Sequence, residues 1–305
     1  MAGYRLDKAL AELFPTYSRS RLQQWIRDGH VSVNANLPRV KDKVQGGEDI
    51  QVTAPIVEEV DWQAQDIPIN LLYEDLDILV VNKSAGLVVH PGAGNQDHTL
   101  VNALLNHAPE LAQLPRAGII HRLDKGTTGV LVVARSLRAY HALIKQQQAR
   151  QFVREYQAIV KGVLVAGGCI DAPIGRHPVQ RTKMAIVANG KPARTHYRIT
   201  RRFRAYTHLQ VSLETGRTHQ IRVHLAHQHY PLLGDTTYGG RLTIPSKSQT
   251  DFVTALQAFQ RPALHAECLG FVHPVTQKFM EWKAPLPTDL QILLTALEQD
   301  KQAHD

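Results

Sequence analysis

Cysteine is scarce. The 305 residues hold two, Cys169 and Cys268, far apart in the chain. That excludes a disulfide framework and a cysteine-pair metal motif, and it fits a reducing compartment. Long apolar runs are missing. None approaches the ~20 residues a membrane helix needs, so no membrane partner is expected. Asp7, Lys8 and Glu12 interrupt the N-terminal stretch, which therefore does not read as a signal peptide. The expected location is cytoplasmic. Internal repeats and low-complexity tracts are also lacking. Pro91-Gly92-Ala93-Gly94 has no phosphate-loop spacing and reads as a turn, not a nucleotide cradle.

Acid is absent from one long window. Residues 176 to 204 contain nine Lys or Arg and no Asp or Glu, which exceeds the net +8 of the whole chain. Localised positive charge of this kind points to a phosphate-bearing partner. Arg176, Arg181 and Lys183 lead the window.

Periodicity outlines the organisation. Leu6, Leu10 and Leu13 predict a first helix, stopped by Pro15. A second begins after Ser18, a predicted N-cap, and ends at Gly29. Strands are expected at 30–34 and 49–53. Residues 55 to 68 hold two prolines and four acids and predict a mobile linker. The expected division is a small α/β domain at 1–60, a linker at 61–70 and a large domain at 71–305. In the large domain, strands are predicted at 77–82, 86–90, 118–120, 130–134, 154–160, 195–200, 207–213, 264–272 and 278–283. Helices are predicted at 99–107, after Ser136, at 218–228 and at 289–298, with 240–262 a polar excursion. Many strands and few helices argue for an α+β fold with a mixed, mainly antiparallel sheet.

The chain is centred on Gly118 to Ala134, GIIHRLDKGTTGVLVVA. Two apolar runs flank a polar loop in which Asp124 lies beside Arg122 and Lys125. Charged groups on a loop between core strands are typical of catalytic sites. A plain surface salt-bridge turn would look the same. The wider pattern separates the two. HRLDKGTTG, LVVHPGAGN (87–95), REYQAIVKG (154–162), LETGRTHQIRVH (213–224) and HAECLGFVHP (265–274) occur across the chain. Together they resemble the RluA-type pseudouridine synthases over nearly its whole length. One departure is Gly126, where that family usually carries an acid. The N-terminal RLDKAL, SRSRLQQWI and HVSVN resemble the small RNA-binding domain first described in ribosomal protein S-four.

The resemblance implies isomerisation of uridine to pseudouridine in large-subunit (23S) ribosomal RNA. It implies Asp124 as the essential catalytic residue, Arg222 as its cationic partner and Tyr156 against the base. Arg122 would fill the gap left by a flipped uridine. His121, Arg217, Arg176, Arg181 and Lys183 are the further expected RNA contacts. The reaction has no redox or phosphoryl-transfer step, so no cofactor is expected, and a monomer is anticipated. Other readings stay open. His219, His224, His227 and His229 cluster, but without H-E-x-x-H spacing and with no acid or cysteine among them. A non-catalytic RNA-binding assembly factor, or a synthase for a different rRNA or tRNA site, would share the basic surface. A hydrolytic N-glycosidase would call for a carboxylate pair that is not evident.

Overall fold

The computed structural model describes residues 1–14, 17, 19–53, 62–92 and 94–304, apart from the side chain of Ser20. They fall into two compact units, 1–61 and 62–305.

In the first unit, α1 (Leu6–Leu13) and α2 (Arg19–Arg27) pack over an antiparallel pair, β1 (Val31–Val33) and β2 (Ile50–Val52). Leu6 and Leu10, one helical turn apart, meet Leu22, Trp25 and Ile26 and bury the apolar face of each helix. Asp7 is also buried. Arg19 reaches its carboxylate at 2.7 Å and Gln23 at 2.5 Å, which ties α2 to α1. The expected stop at Pro15 and cap at Ser18 lie outside the described residues.

The second unit is built on a nine-stranded sheet. Its strands are β3 (Leu71–Glu74), β4 (Ile78–Lys83), β5 (Thr128–Ala134), β6 (Val153–Lys161), β7 (Gly168–Asp171), β10 (Arg194–Arg202), β11 (Tyr206–Leu213), β12 (Leu264–Val272) and β13 (Phe279–Lys283). The spatial order is β3-β4-β5-β12-β6-β11-β10-β7, with β13 also on β12. Every pairing among these strands is antiparallel except β5 with β12. A separate hairpin joins β8 (Ile174–Arg176) to β9 (Met184–Ile186). The helices are α3 (Leu100–His107), α4 (Leu137–Gln148), α5 (Gln220–His227), α6 (Thr250–Ala258) and α7 (Thr288–Gln302). The arrangement is α+β with a mixed, mainly antiparallel sheet, as the sequence predicts.

All seven residues of β5 are buried. Leu131 and Val133 enter the cluster that contains Leu104 of α3, while Val130, Val132 and Ala134 enter the one that contains Leu143 of α4. A strand covered on both faces is written as a continuous apolar run. The cap of α4 is where the sequence puts it: the Ser136 hydroxyl accepts from the Ala139 amide at 3.1 Å.

Several expectations need correction. Residues 86–90 are not a strand. Gly86 has φ +82°, and the Leu87 carbonyl accepts from the Lys83 ammonium at 2.9 Å, not from a neighbouring strand. Residues 118–120 are not a strand either. Arg116, Ala117 and Gly118 form a left-handed run, after which Ile119 alone bridges to Val133. The excursion at 240–262 contains α6, whose Phe252 and Leu256 are one turn apart and pack with Leu290 and Leu293 of α7. Of the linker placed at 61–70, residues 62–70 lie in the large unit. There Trp62 and Ile69 pack on the core, and the Asn102 amide donates to the Gln63 carbonyl at 2.8 Å. The rest of the 55–68 stretch lies outside the described residues.

Candidate active site

Asp124 stands at the entrance of β5, at the end of a turn closed by the Thr127 amide on its own carbonyl at 3.0 Å. The chain just beyond it is fixed against β12. Thr128 Oγ1 and His265 Nδ1 are 2.8 Å apart. Gly129 has φ +113°, and a Cβ there would run into the Ala266 carbonyl. Glycine is therefore required for the parallel pairing of β5 with β12. The other side of the turn is held by Lys83, which is 1% exposed. Its ammonium donates to the carbonyls of Ser84 at 2.8 Å, Leu87 at 2.9 Å and Lys125 at 3.3 Å. Burial pulls the Lys83 pKa down to about 7, against the attraction of Asp124. At Gly126, the space a side chain would need is taken by the Pro262 ring, and Arg261 donates to the Gly126 carbonyl at 3.1 Å.

Arg222 on α5 provides the cation. Its Nη1 donates to Asp124 at 3.2 Å, while Nε and Nη2 donate to Asp235 at 2.7 and 3.0 Å. The Asp235 side chain is fully buried. It also accepts from the amides of Thr237 at 2.9 Å and Tyr238 at 3.2 Å. A carboxylate with four donors is satisfied despite burial, and it fixes the plane of the guanidinium. Burial opposes the charge on Arg222, but Asp235 and then Asp124 more than offset it and push its pKa up. The other oxygen of Asp124 has His219 Nε2 at 3.9 Å, beyond hydrogen-bond reach. His219 is in the left-handed conformation at the head of α5, with φ +57°. Its Nδ1 meets the Tyr238 hydroxyl at 2.8 Å, which in turn accepts from the Met184 amide at 2.9 Å. Burial lowers the His219 pKa against the pull of Asp124.

Asp124, His219 and Arg222 line a cleft of about 230 Å³ together with Tyr156, Arg154, His121 and Arg122. Tyr156 and Arg154 are two apart on β6 and share a face. Burial raises the Tyr156 pKa, with Arg154 opposing and Asp124 adding to the effect. His121 accepts from the Val132 amide through Nε2 at 3.2 Å. Burial, then Arg154, brings its pKa down to about 3. Burial and the cations Arg122 and Arg116 bring His90, on the same cleft, to about 4. Both imidazoles are neutral at pH 7. The cleft thus offers a carboxylate with one cation and one uncommitted oxygen, beside a buried phenol.

Six of the residues expected from sequence come together here: Asp124, Tyr156, Arg222, His121, Arg122 and Arg217. Arg176, Arg181 and Lys183 do not line the cleft. They belong to the β8–β9 hairpin, where Arg176 Nη1 donates to the Arg181 carbonyl at 3.1 Å. The hairpin is tied to the site through the Met184–Tyr238–His219 chain. The basic window is less positive than it reads, because the fold brings acids to it from elsewhere. Arg194 pairs with Asp171 and Glu214, Arg201 with Glu298, and Arg204 with buried Asp300. The four histidines do not converge. His224 is buried between Thr195 Oγ1 at 2.9 Å and the Ala172 carbonyl at 3.0 Å. Among the described residues, no three His, Cys, Asp or Glu are grouped to hold a metal ion. Sequence reasoning missed Asp235, Lys83 and Arg154. The available signals were an acid following Leu232-Leu233-Gly234, a lysine ending a buried strand, and an arginine on the apolar face of β6.

Residues 77–227 match the RNA pseudouridylate synthase family, and residues 5–50 match the S4 domain. Ribosomal large subunit pseudouridine synthase D of Pseudomonas aeruginosa is 54% identical over 303 residues, 99% of this chain and 95% of that protein. The chain belongs to the RNA pseudouridylate synthase family. The protein of the same name from Pasteurella multocida is 53% identical over 305 residues, 99% of this chain and 94% of the other. Among solved structures, human RNA Pseudouridylate Synthase Domain Containing 4 superposes with a TM-score of 0.58 at 27% identity, covering 75% of this chain and 93% of that one. The matched synthase segment includes Asp124, Tyr156 and Arg222 and ends at the last residue of α5. Asp235, which orients Arg222, lies beyond it. No helix among the described residues is long and apolar enough to cross a membrane.

Proposed function

We propose that this synthase converts specific uridines of 23S ribosomal RNA to pseudouridine, with Asp124 as the catalytic residue. The observation that carries the reading is the Arg222–Asp124 contact at 3.2 Å inside the cleft that Tyr156 also lines. The reaction breaks the N-glycosidic bond, turns the uracil over and rejoins it through ring carbon five. An ionised carboxylate can begin this by attacking the sugar, attacking the base, or taking a sugar proton. All three routes need the uridine out of its stack, which costs a few kcal/mol.

In this reading, exposed Arg122 fills the gap left in the RNA, Tyr156 lies against the flipped uracil, and Arg222 pairs with Asp124 and aims it. His121 and Arg217 contact the target nucleotide. Arg176, Arg181 and Lys183 hold phosphates farther along the RNA, and the S4 unit adds a second grip. The reading takes the enzyme to be a monomer acting in the cytoplasm, where two free, scattered cysteines suit a reducing compartment.

The test is Asp124→Asn, which replaces an ionised oxygen by an amide of the same shape. The variant should keep its melting temperature and RNA affinity and lose isomerisation. Turnover within about tenfold of wild type would overturn the assignment. Mapping pseudouridine in ribosomal and transfer RNA from cells lacking the protein identifies the target. Loss only from transfer RNA would move the substrate, and no loss anywhere would favour a non-catalytic assembly factor. Release of free uracil would reveal a hydrolase.

A further inference from the structure

Arg154 is the buried cation that the chemistry above leaves unused. It is 7% exposed. Nη2 donates to the Glu214 main-chain oxygen at 3.2 Å, and Nε is buried with no hydrogen-bond partner among the described residues. Arg194, Arg201, Arg204, Arg222 and Arg261 each meet a carboxylate. Arg154 meets none among the described residues. Space for it is kept by Gly216, where a Cβ would stand 2.8 Å from Nη1. Burial weighs against its charge, and Arg217 repels it, with only the Tyr156 phenol opposing them. A guanidinium nonetheless stays protonated at any working pH. A buried fork with most of its N–H groups open is an expensive arrangement unless something binds there.

We propose that Arg154 receives a carbonyl oxygen of the target pyrimidine base. The inference rests on the synthase reading and extends it. Position favours the base over the RNA backbone. Arg154 shares the buried face of β6 with Tyr156, whereas Arg116 and Arg122, which line the same cleft, are exposed and free to meet the RNA backbone. The chemistry points the same way. When the N1–C1′ bond breaks, its electron pair stays on the base, and the charge spreads from N1 onto the ring carbonyl oxygens. Attack on ring carbon six puts charge on a carbonyl oxygen as well. The new C5–C1′ bond then forms, C5 loses its proton and N1 gains one. Through all of this Arg154 neither gives nor takes a proton. It stabilises charge that is greatest between reactant and product, the situation in which a fixed donor accelerates a reaction.

The test uses the full-length protein and a stem-loop RNA with the mapped target as uridine, 2-thiouridine or 4-thiouridine, or with a phosphorothioate at its phosphate. Arg154→Ala should bind RNA within about threefold of wild type and isomerise uridine about 10² to 10³ times more slowly in a single turnover. Added guanidinium should restore part of the rate. Sulfur at the contacted oxygen should slow the wild type yet add little to the slowness of the variant. Arg154→Lys guards against misfolding: it should melt like wild type and still lose about tenfold in rate, because the planar fork is gone. Fully additive thio effects, or wild-type rates in Arg154→Lys, would overturn the proposal. Coupling to the phosphorothioate in place of the thio bases would overturn it too, and make Arg154 a backbone anchor. A wild type inactive on every RNA sinks the parent reading, whereas an active wild type with additive effects sinks the Arg154 role alone.

Discussion

Asp235 holds the guanidinium of Arg222 by two nitrogens, at 2.7 and 3.0 Å, which leaves Nη1 to face Asp124. The partner of the proposed catalytic carboxylate is thus aimed by a second carboxylate. Asp235→Asn keeps the shape and removes the charge. Losing one member of a buried pair typically costs about 3 to 5 kcal/mol. A drop of that order in unfolding free energy is expected, together with a lower kcat at nearly unchanged KM. Wild-type stability and kcat in Asp235→Asn would show that Arg222 is aimed by other means.

The close approach at Gly129 gives a backbone prediction. A methyl group there meets the Ala266 carbonyl, and the positive φ adds strain. Gly129→Ala should lose at least ~2 kcal/mol, read as the urea midpoint, and should open the β5 amides beside it to hydrogen exchange.

The half-buried His121 predicts an acid limb in stability. The folded pKa of His121 is about 3, against the ordinary 6.5. Between these values the unfolded chain binds the proton and the folded chain does not. The His121 contribution is therefore full above about pH 6.5 and fades as pH falls towards 3, by at most ~1.4 kcal/mol per unit. His121→Gln should flatten this slope. Lys83 works in the alkaline range. Its folded pKa near 7 lies below the usual 10.5, so unfolded chains hold more protons between these values and stability rises with pH there. Lys83→Met should remove that rise. Urea midpoints measured from about pH 4 to about pH 9 check both.

Salt dependence separates the free cations from the paired ones. Arg176, Arg181 and Lys183 make no ion pair among the described residues, whereas Arg201 faces Glu298 at 2.9 Å. Changing the first three to Ala should flatten the slope of log affinity against log salt by about 0.7 to 0.9 for each phosphate no longer neutralised. Arg201→Ala should leave the slope almost unchanged. Equal effects would mean that the acids brought in by the fold do not neutralise the window.

What the sequence reveals follows from which interactions are local. The β5 run is legible because both of its faces are buried, and the cap at Ser136 because capping spans three residues. Asp124, Tyr156 and Arg222 come from resemblance, since their meeting depends on segments about thirty to a hundred residues apart. Strands at 86–90 and 118–120 are misread because their apolar residues look extended, while Gly86 and Arg116–Gly118 turn the backbone left-handed. Asp235 is hidden because its partner lies thirteen residues upstream on a helix. The excess charge at 176–204 is overstated because Asp171, Glu214, Glu298 and Asp300 reach it only after folding.

The place of β12 governs when the site can exist during synthesis. In the sheet it separates β5, which follows Asp124, from β6, which carries Tyr156, and it is among the last strands to be made. A nascent chain that ends before Leu264 owns both halves of the cleft but lacks the strand that joins them. Each half then ends in an unpaired edge, open to wrong partners. Such a chain has its RNA-binding unit and its basic hairpin already in hand. Its cleft is completed only when residues 264–272 pair between β5 and β6.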